Sequence, residues 1–363
     1  MTRTLRAAVI GVGLAGGPHI EAIRRTGMAQ VVGVAASSAD SVRRAAKRYG
    51  HGLTYQPWRE LVENPTIDVV HNCTPNYLHE AVGHATLAAG KHLITEKPLA
   101  ATLDEAASLV QASDNGSAVT ALCHNYRHYA MVAEAHELIR AGAIGEVFHV
   151  HGVYLQDWLS DPAVRNWRLN PKEGGPSTTF ADIGTHWCDL AMHLLDRRIE
   201  SVCAATASRH GRATDDHGGV LFRFGGDTLG TLVTSQVSPG AKNSLRIRLD
   251  GSDGSLSWDQ ERPEELWLGR LGGPTELRHK SADQLHERAR PRAHLPAGEI
   301  EGWNSTFVNL FGSVYRRILG CPLPGDEWVA TLPEGLFLMR VIDAVGASNA
   351  ERAWVDLPAA NAV

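Results

Sequence analysis

Gly11-Val12-Gly13-Leu14-Ala15-Gly16 follows directly on the apolar run Ala7–Ile10. In a strand-to-helix turn, three such glycines have separate tasks: a tight turn, backbone approach to a pyrophosphate, and close packing of helix on strand. The helix N-terminus then faces the anion. Pro18 suits that helix only within its first turn, where no backbone N–H partner is lost. About 20 residues further on, a dinucleotide fingerprint expects an acid to hold the ribose hydroxyls, but the chain reads Val34-Ala35-Ala36-Ser37-Ser38. Ser37 and Ser38 accept a hydroxyl or a 2′-phosphate. Arg43 and Arg44, one turn into the next helix, either add positive charge there or sit on a solvated face. The cofactor expected is NAD or NADP, with a slight lean to NAD because no Arg stands at the strand end itself.

Two more segments, Cys73-Thr74-Pro75-Asn76-Tyr77-Leu78-His79 and Thr95-Glu96-Lys97-Pro98, follow apolar runs and so fall at C-terminal strand ends, where open α/β sheets bind ligands. Lys97, held beside a proline, offers an ammonium to a substrate hydroxyl or carbonyl. Further on, Asp182 and His186 are four apart, and Asp189 and His193 continue the series, so a regular helix stacks them on one face. A carboxylate that orients an imidazole suits a general base near neutral pH. Spacing leaves three readings open: an acid/base pair, a structural pair, and a metal site, although no HExxH or common zinc spacing is present.

The elements that would position these groups come in two styles. Up to about residue 125, strand candidates Ala7–Ile10, Val31–Ala35, Ile67–Cys73, His92–Thr95 and Ala118–Cys123 alternate with helical stretches Ala22–Thr26, Ser41–Tyr49, Glu80–Ala89 and Asp104–Ser113. That rhythm is βαβ and implies a doubly wound parallel sheet. Gly27, Gly50 and Gly90 stand where helix C-caps belong. Beyond it, Val147–Tyr154, Gly219–Phe224, Thr228–Ser235, Leu245–Asp250 and Ser255–Trp258 read as strands without intervening helices, with a hairpin at Asp250–Gly254. Helices are expected at Met131–Ala141, at Asp182–Leu195 and around Gly335–Ser348, the last packing back on the first domain. Residues 271–296, rich in charge, His and Pro, read as a long surface excursion.

Composition excludes several classes. Lys plus Arg number 35 against 40 Asp plus Glu, a net charge of −5, which disfavours binding to nucleic acid phosphates. No apolar run reaches the ~20 residues of a membrane helix, and the start reads into folded sequence rather than a signal peptide, so a cytoplasmic protein is expected. The 5 cysteines are widely spaced and read as reduced core thiols.

The motifs GVGLAG (11–16), CTPNYLH (73–79), EKP (96–98), NYR (125–127), GAIGEV (142–147) and Asp182-x-Gly184-x-His186-x-x-Asp189, in this order, resemble the glucose-fructose oxidoreductase / inositol dehydrogenase / MocA family of NAD(P)-dependent dehydrogenases over nearly the whole chain. The resemblance implies an α/β protein: a Rossmann domain over 1–124, then over 125–363 a substrate-binding α/β domain on an open, mostly antiparallel sheet whose exposed face mediates homodimers or homotetramers. It implies that Lys97, Asp182 and His186 converge on the nicotinamide as the catalytic group, with no metal. Cofactor contacts are implied along Gly11, Gly13, Leu14, Ala15 and Gly16, at Ser37, Ser38 and Arg43, and at Thr74, Pro75, Asn76, His79, Glu96, Lys97 and Asn125. Tyr126 and Arg127 join the substrate side. The segments Tyr154–Leu159, Asn166–Arg168, Ser235–Ser238 and His294–Pro296 look similar to a subgroup of sugar and cyclitol dehydrogenases. Trp158 and Trp167 offer flat faces to a sugar ring, and Gln156, Asp157 and Arg168 offer hydrogen bonds to its hydroxyls. The function expected is oxidation of a secondary hydroxyl of a sugar, sugar derivative or cyclitol. Its rivals are a biosynthetic keto-sugar reductase, a non-catalytic NAD(P)-sensing regulator, and a metal-dependent hydrolase using Asp182, His186, Asp189 and His193.

Overall fold

The computed structural model describes residues 3–49 and 56–358. In the first third β1 (Leu5–Ile10), α1 (Gly16–Thr26), β2 (Ala29–Ala35), α2 (Ala39–Tyr49), α3 (Trp58–Glu63), β3 (Val69–Asn72), α4 (His79–Ala88), β4 (His92–Thr95), α5 (Leu103–Asp114) and β5 (Thr120–Leu122) follow one another. Next come α6 (Ala130–Arg140), β6 (Val147–Leu155), α7 (Pro171–Gly174) and α8 (Thr185–Leu195), then β7 (Ile199–Ala207), β8 (His217–Phe224), β9 (Thr228–Ser235), β10 (Ser244–Gly251), β11 (Gly254–Asp259), β12 (Glu265–Arg270) and β13 (Thr275–His279). The chain closes with α9 (Gly302–Ile318), α10 (Leu332–Glu351) and β14 (Val355–Asp356).

Two compact units result: Met1–His128 with Gly302–Leu336, and Tyr129–Glu301 with Phe337–Val363. The chain does not divide once near residue 124, because 302–336 returns to the first unit. The first unit is a parallel sheet in the order β2-β1-β3-β4-β5. Its strands are buried apolar runs such as Ala7, Ala8 and Val9, each 0% exposed, as a sheet covered on both faces requires. Phe307, Leu310, Phe311, Val314 and Tyr315 of α9 share a core with Leu5, Val9, Ile20 and Ile23. So α9 completes this unit together with the first turn of α10, where Gly335 stands against Leu99 and Leu122; from Phe337 on, α10 belongs to the second unit. Gly27 and Gly90 take positive φ at helix ends (65° and 68°), while Gly50 lies outside the described residues.

The second unit carries a nine-stranded sheet, β13-β12-β11-β10-β6-β9-β8-β7-β14. Every pairing is antiparallel except β6 with β9, so the sheet is open and mostly antiparallel. One face is covered where the Trp187 indole of α8 donates to the Arg246 carbonyl at 3.2 Å. The other leaves Leu221, Leu229 and Val233 46–47% exposed. Residues 271–296 are not a free excursion: β13 joins the sheet, and Lys280 is 2% exposed, donating to the Glu299 carbonyl at 3.0 Å and paired with Glu264 and Glu301. The cysteines also differ from expectation, since Cys203 is only half-buried and Cys321 is exposed, although all five are free thiols. Among the described residues, no helix is long and apolar enough to cross a membrane.

Candidate active site

The strand order reverses at β1, with β2 on one side and β3 on the other, and ligands bind outside the strand ends at such a switch point. Two segments stand there: the glycine run after β1 and residues 73–79 after β3. Gly11 has φ +98°, and a Cβ there would collide with the Cys73 carbonyl. A Cβ on Gly16 would strike the Gly11 carbonyl, whereas Gly13 faces open space with nothing within 4 Å. Leu14 is 81% exposed. Helix α1 has Ala15 as its N-cap residue, with no side-chain cap and no acid in its first turn. Its first N–H groups therefore remain available to an anion, and the residues present fit a dinucleotide pyrophosphate.

β2 ends at Ala35, leaving Ala36, Ser37 and Ser38 at the strand terminus. The Ser38 hydroxyl lies 3.1 Å from that of Ser41, which accepts from Arg44 at 3.0 Å. Arg43 pairs with Asp40 on the exposed helix face. Arg44, rather than the expected Arg43, is the cation beside the serines.

The next loops are tied together from beneath. His79 is 0% exposed, with Nδ1 2.8 Å from the Pro98 carbonyl and Nε2 2.9 Å from the Thr74 carbonyl. It braces the loop of Thr74, Pro75 and buried Asn76 against the Lys97 loop instead of contacting a cofactor through its ring. Burial lowers its pKa against the pull of those carbonyls. Glu96 Oε1 lies 3.0 Å from His19 Nε2, and its Oε2 accepts from the Lys97 N–H at 3.3 Å. Burial opposes ionisation of Glu96, but His19, Lys97 and His79 outweigh it and hold the carboxyl below its usual range. His19 continues to His71 (3.1 Å) and His71 to the Tyr315 hydroxyl (2.7 Å). Helix α1, the Lys97 loop and α9 thus share one buried polar network, which the sequence reading missed. Lys97 itself is half-buried, and its bond to Pro98 is cis.

Three residues of the NYR motif take structural places. The Asn125 amide donates to Thr306 at 2.7 Å. Tyr126 is 2% exposed. Arg127, itself buried, forms an ion pair with the partly exposed Glu334 at 2.8 Å. Neither Tyr126 nor Arg127 presents the open surface expected of a substrate contact.

In the second unit Phe180–Gly184 is a π-helical turn leading into α8. A π-turn holds one extra residue, so the α-helical stacking of Asp182 over His186 inferred from spacing four does not apply. Asp182 Oδ2 accepts from Gln236 Nε2 at 2.8 Å, and Oδ1 lies 3.4 Å from Arg168 Nε. Gln236, 0% exposed, also donates to Gln156 Oε1 (3.2 Å) and accepts from Thr179 (2.9 Å). Gln156 in turn donates to Asn243 (2.8 Å) and accepts from the Trp158 indole (3.1 Å). The Arg168 guanidinium lies 4.4 Å over the Trp167 ring. His186, 7% exposed, lies beside Tyr154, ring centroids 6.3 Å apart. His193 stacks on His136 at 4.5 Å. The structure thus brings Gln156, Trp158, Trp167, Arg168 and Asp182 into one constellation through Gln236 and adds Asn243 and Thr179. The signal for Gln236 was an amide at the end of an otherwise well-patterned strand.

The model described as the oxidoreductase family with NAD-binding Rossmann fold matches residues 5–124, and that of the GFO/IDH/MocA C-terminal domain matches residues 132–257. The levoglucosan dehydrogenase of Pseudarthrobacter phenanthrenivorans is 28% identical over 352 residues, spanning 90% of this chain and 89% of its own. A crystal structure of an oxidoreductase domain protein from Kribbella flavida superposes with a TM-score of 0.90 at 29% identity, over 99% of this chain and 100% of the other. Levoglucosan dehydrogenase in complex with NADH and levoglucosan gives 0.89 at 25% identity, over 98% and 100%. Matched over both halves of its fold, and with its glycine turn shaped for a pyrophosphate, the chain belongs to the GFO/IDH/MocA family of NAD(P)-dependent oxidoreductases.

Proposed function

We propose that the protein oxidises a secondary hydroxyl of a sugar, sugar derivative or cyclitol, reversibly, using Lys97, Asp182 and His186. The observation that carries this reading is the amide chain Asn243–Gln156–Gln236 ending on Asp182, with Trp158 beside it and Trp167 under Arg168. Neutral donors and acceptors next to indole faces suit a ring that is hydroxylated at its edge and C–H-rich on its faces. Bound nicotinamide supplies the hydride acceptor. His186 takes the hydroxyl proton, Asp182, held by Gln236 and Arg168, accepts from a neighbouring hydroxyl, and Lys97 stabilises negative charge developing on the oxygen. The name of the levoglucosan-oxidising relative supports the same class of substrate. The test is a panel of monosaccharides, anhydrosugars, glycosides and inositols, with the corresponding ketones in reverse, followed by NAD(P)H absorbance. Turnover of none of them, with cofactor binding intact, would favour the sensing regulator.

Replacing Gln236 by Leu keeps the volume but leaves the Asp182, Gln156 and Thr179 side chains without this partner. Since an unmet buried polar group costs about 1–3 kcal/mol, kcat/KM for the best sugar should fall about 10- to 100-fold at unchanged cofactor affinity. An unaltered kcat/KM would separate the amide chain from the reaction.

We infer that both cofactors are accepted, with the lean to NAD, because no acid stands at Ala36, Ser37 or Ser38 to repel a 2′-phosphate. Ala36→Asp should raise the kcat/KM ratio of NAD over NADP, chiefly through a weaker NADP complex. An unchanged ratio would move the ribose site elsewhere. We also infer a homodimer or homotetramer through the open sheet face bearing Leu221, Leu229 and Val233, and a cytoplasmic setting consistent with five free thiols.

A further inference from the structure

On the open face of the large sheet, away from α8, three metal-binding side chains meet. His149 and His151 are two apart on β6, so both point to the same side; the intervening Val150 is 0% exposed on the other. Asp250 lies directly across the strand pair from His149 on β10. Its Oδ2 is 3.7 Å from His149 Nδ1 and 3.4 Å from His151 Nε2. The imidazoles lie side by side, centroids 5.0 Å apart and planes 22° from parallel. All three ligand atoms lie within 4.8 Å of one another.

We propose that His149, His151 and Asp250 form a binding site for one divalent transition-metal ion of the zinc type. The separations carry the argument. At 3.4 and 3.7 Å the carboxylate oxygen stands too far from either nitrogen for a good hydrogen bond. Ligands about 2.0–2.2 Å from a tetrahedral zinc ion stand about 3.3–3.5 Å apart, close to the two carboxylate–imidazole separations, and the two imidazole nitrogens, within 4.8 Å of each other, close on an ion by side-chain rotation. Two imidazoles and one carboxylate select zinc or copper over magnesium or calcium, which prefer all-oxygen shells. The carboxylate is held for the task from behind. Its other oxygen, Oδ1, accepts from Ser255 Oγ at 2.6 Å and Arg248 Nε at 2.8 Å, and Arg248 is itself seated 4.7 Å over the Trp267 ring. These contacts leave Oδ2 toward the imidazoles and act as the outer shell that orients a metal ligand. The side chains remain 36%, 42% and 23% exposed in the single chain, so an ion can enter before a second copy covers this face, where Leu229 stands beside His149, and the fourth ligand comes from outside this triad.

The site lies across the sheet from Trp187 of α8, the helix that carries His186, so it is separate from the reaction and independent of the proposed substrate class. The test uses the untagged, metal-stripped protein in equilibrium dialysis against Zn2+, with Co2+ as a spectroscopic probe. The chain holds 18 histidines, so the readout is the difference between variants. Expected is one Zn2+ per wild-type chain, visible absorption of tetrahedral Co2+, and weaker binding as acidification lets protons compete for the imidazoles. His149→Gln/His151→Gln and Asp250→Asn should each weaken Zn2+ by well over about 10-fold, the loss seen even for outer-shell partners. The control His217→Gln, which removes an exposed His paired with Asp216, should bind as wild type does. Circular dichroism shows whether each variant is folded, and these half-exposed positions tolerate amides. Unchanged Zn2+ affinity in the folded double variant, or no Zn2+ retained by wild type beyond that variant, would overturn the proposal.

Discussion

Lys97→Ala should cut turnover by ~10²–10⁴, the range for loss of one positioned catalytic group, while the protein still folds and binds its cofactor. The loop has ties that do not run through the ammonium. Glu96 is held by His19 and by the Lys97 backbone N–H, and the carbonyls of Thr74 and Pro98 are held by His79. All of these survive truncation at Cβ. Developing negative charge on the substrate oxygen, by contrast, would lose its one proposed cation, and such stabilisation is worth most where water is excluded. Steady-state kcat with the best substrate, together with cofactor titration by fluorescence, separates the two effects. A kcat within a few-fold of wild type would take Lys97 out of the mechanism.

How much of this was legible before folding depends on whether a signal is local. The alternation of apolar runs with helical stretches placed His92–Thr95 and Thr228–Ser235 at the observed bounds, because strand periodicity and its flanking turns are local properties. The glycine turn was equally plain. What failed was non-local. Helix α9 carries Phe307, Leu310, Phe311 and Val314 at helical spacing, yet nothing nearby says that its apolar stripe belongs to a core containing Leu5 and Val9. Arg127 stood on the substrate side through the family resemblance alone, and its partner Glu334 lies 207 residues away. The π-turn over Phe180–Gly184 is invisible to a 3.6-residue pattern, so the residue types at Asp182 and His186 were readable and their phase was not. Gln236 shows the same limit. A buried amide is chosen by the groups it must satisfy, here Thr179, Gln156 and Asp182 from three other segments.

His186→Asn gives the second large effect. Asn fills a similar space and keeps some hydrogen bonding, so the buried surroundings, including Tyr154, change little. It has no basic nitrogen, however, and proton removal from the substrate hydroxyl is left to water. Oxidation should fall by ~10²–10⁴. The acid side of the pH–rate profile should flatten, because that limb records protonation of the base, and a variant without the base has nothing there to titrate. The competing reading makes Asp182, His186, Asp189 and His193 ligands of a catalytic metal, and it predicts a different pattern. Chelation would abolish wild-type activity and added zinc would restore it, including in the His149→Gln/His151→Gln protein, where the sheet-face site is removed. That pattern would displace the acid/base assignment. A profile that flattens in His186→Asn, with wild-type turnover indifferent to chelator, leaves His186 as the group that takes the proton.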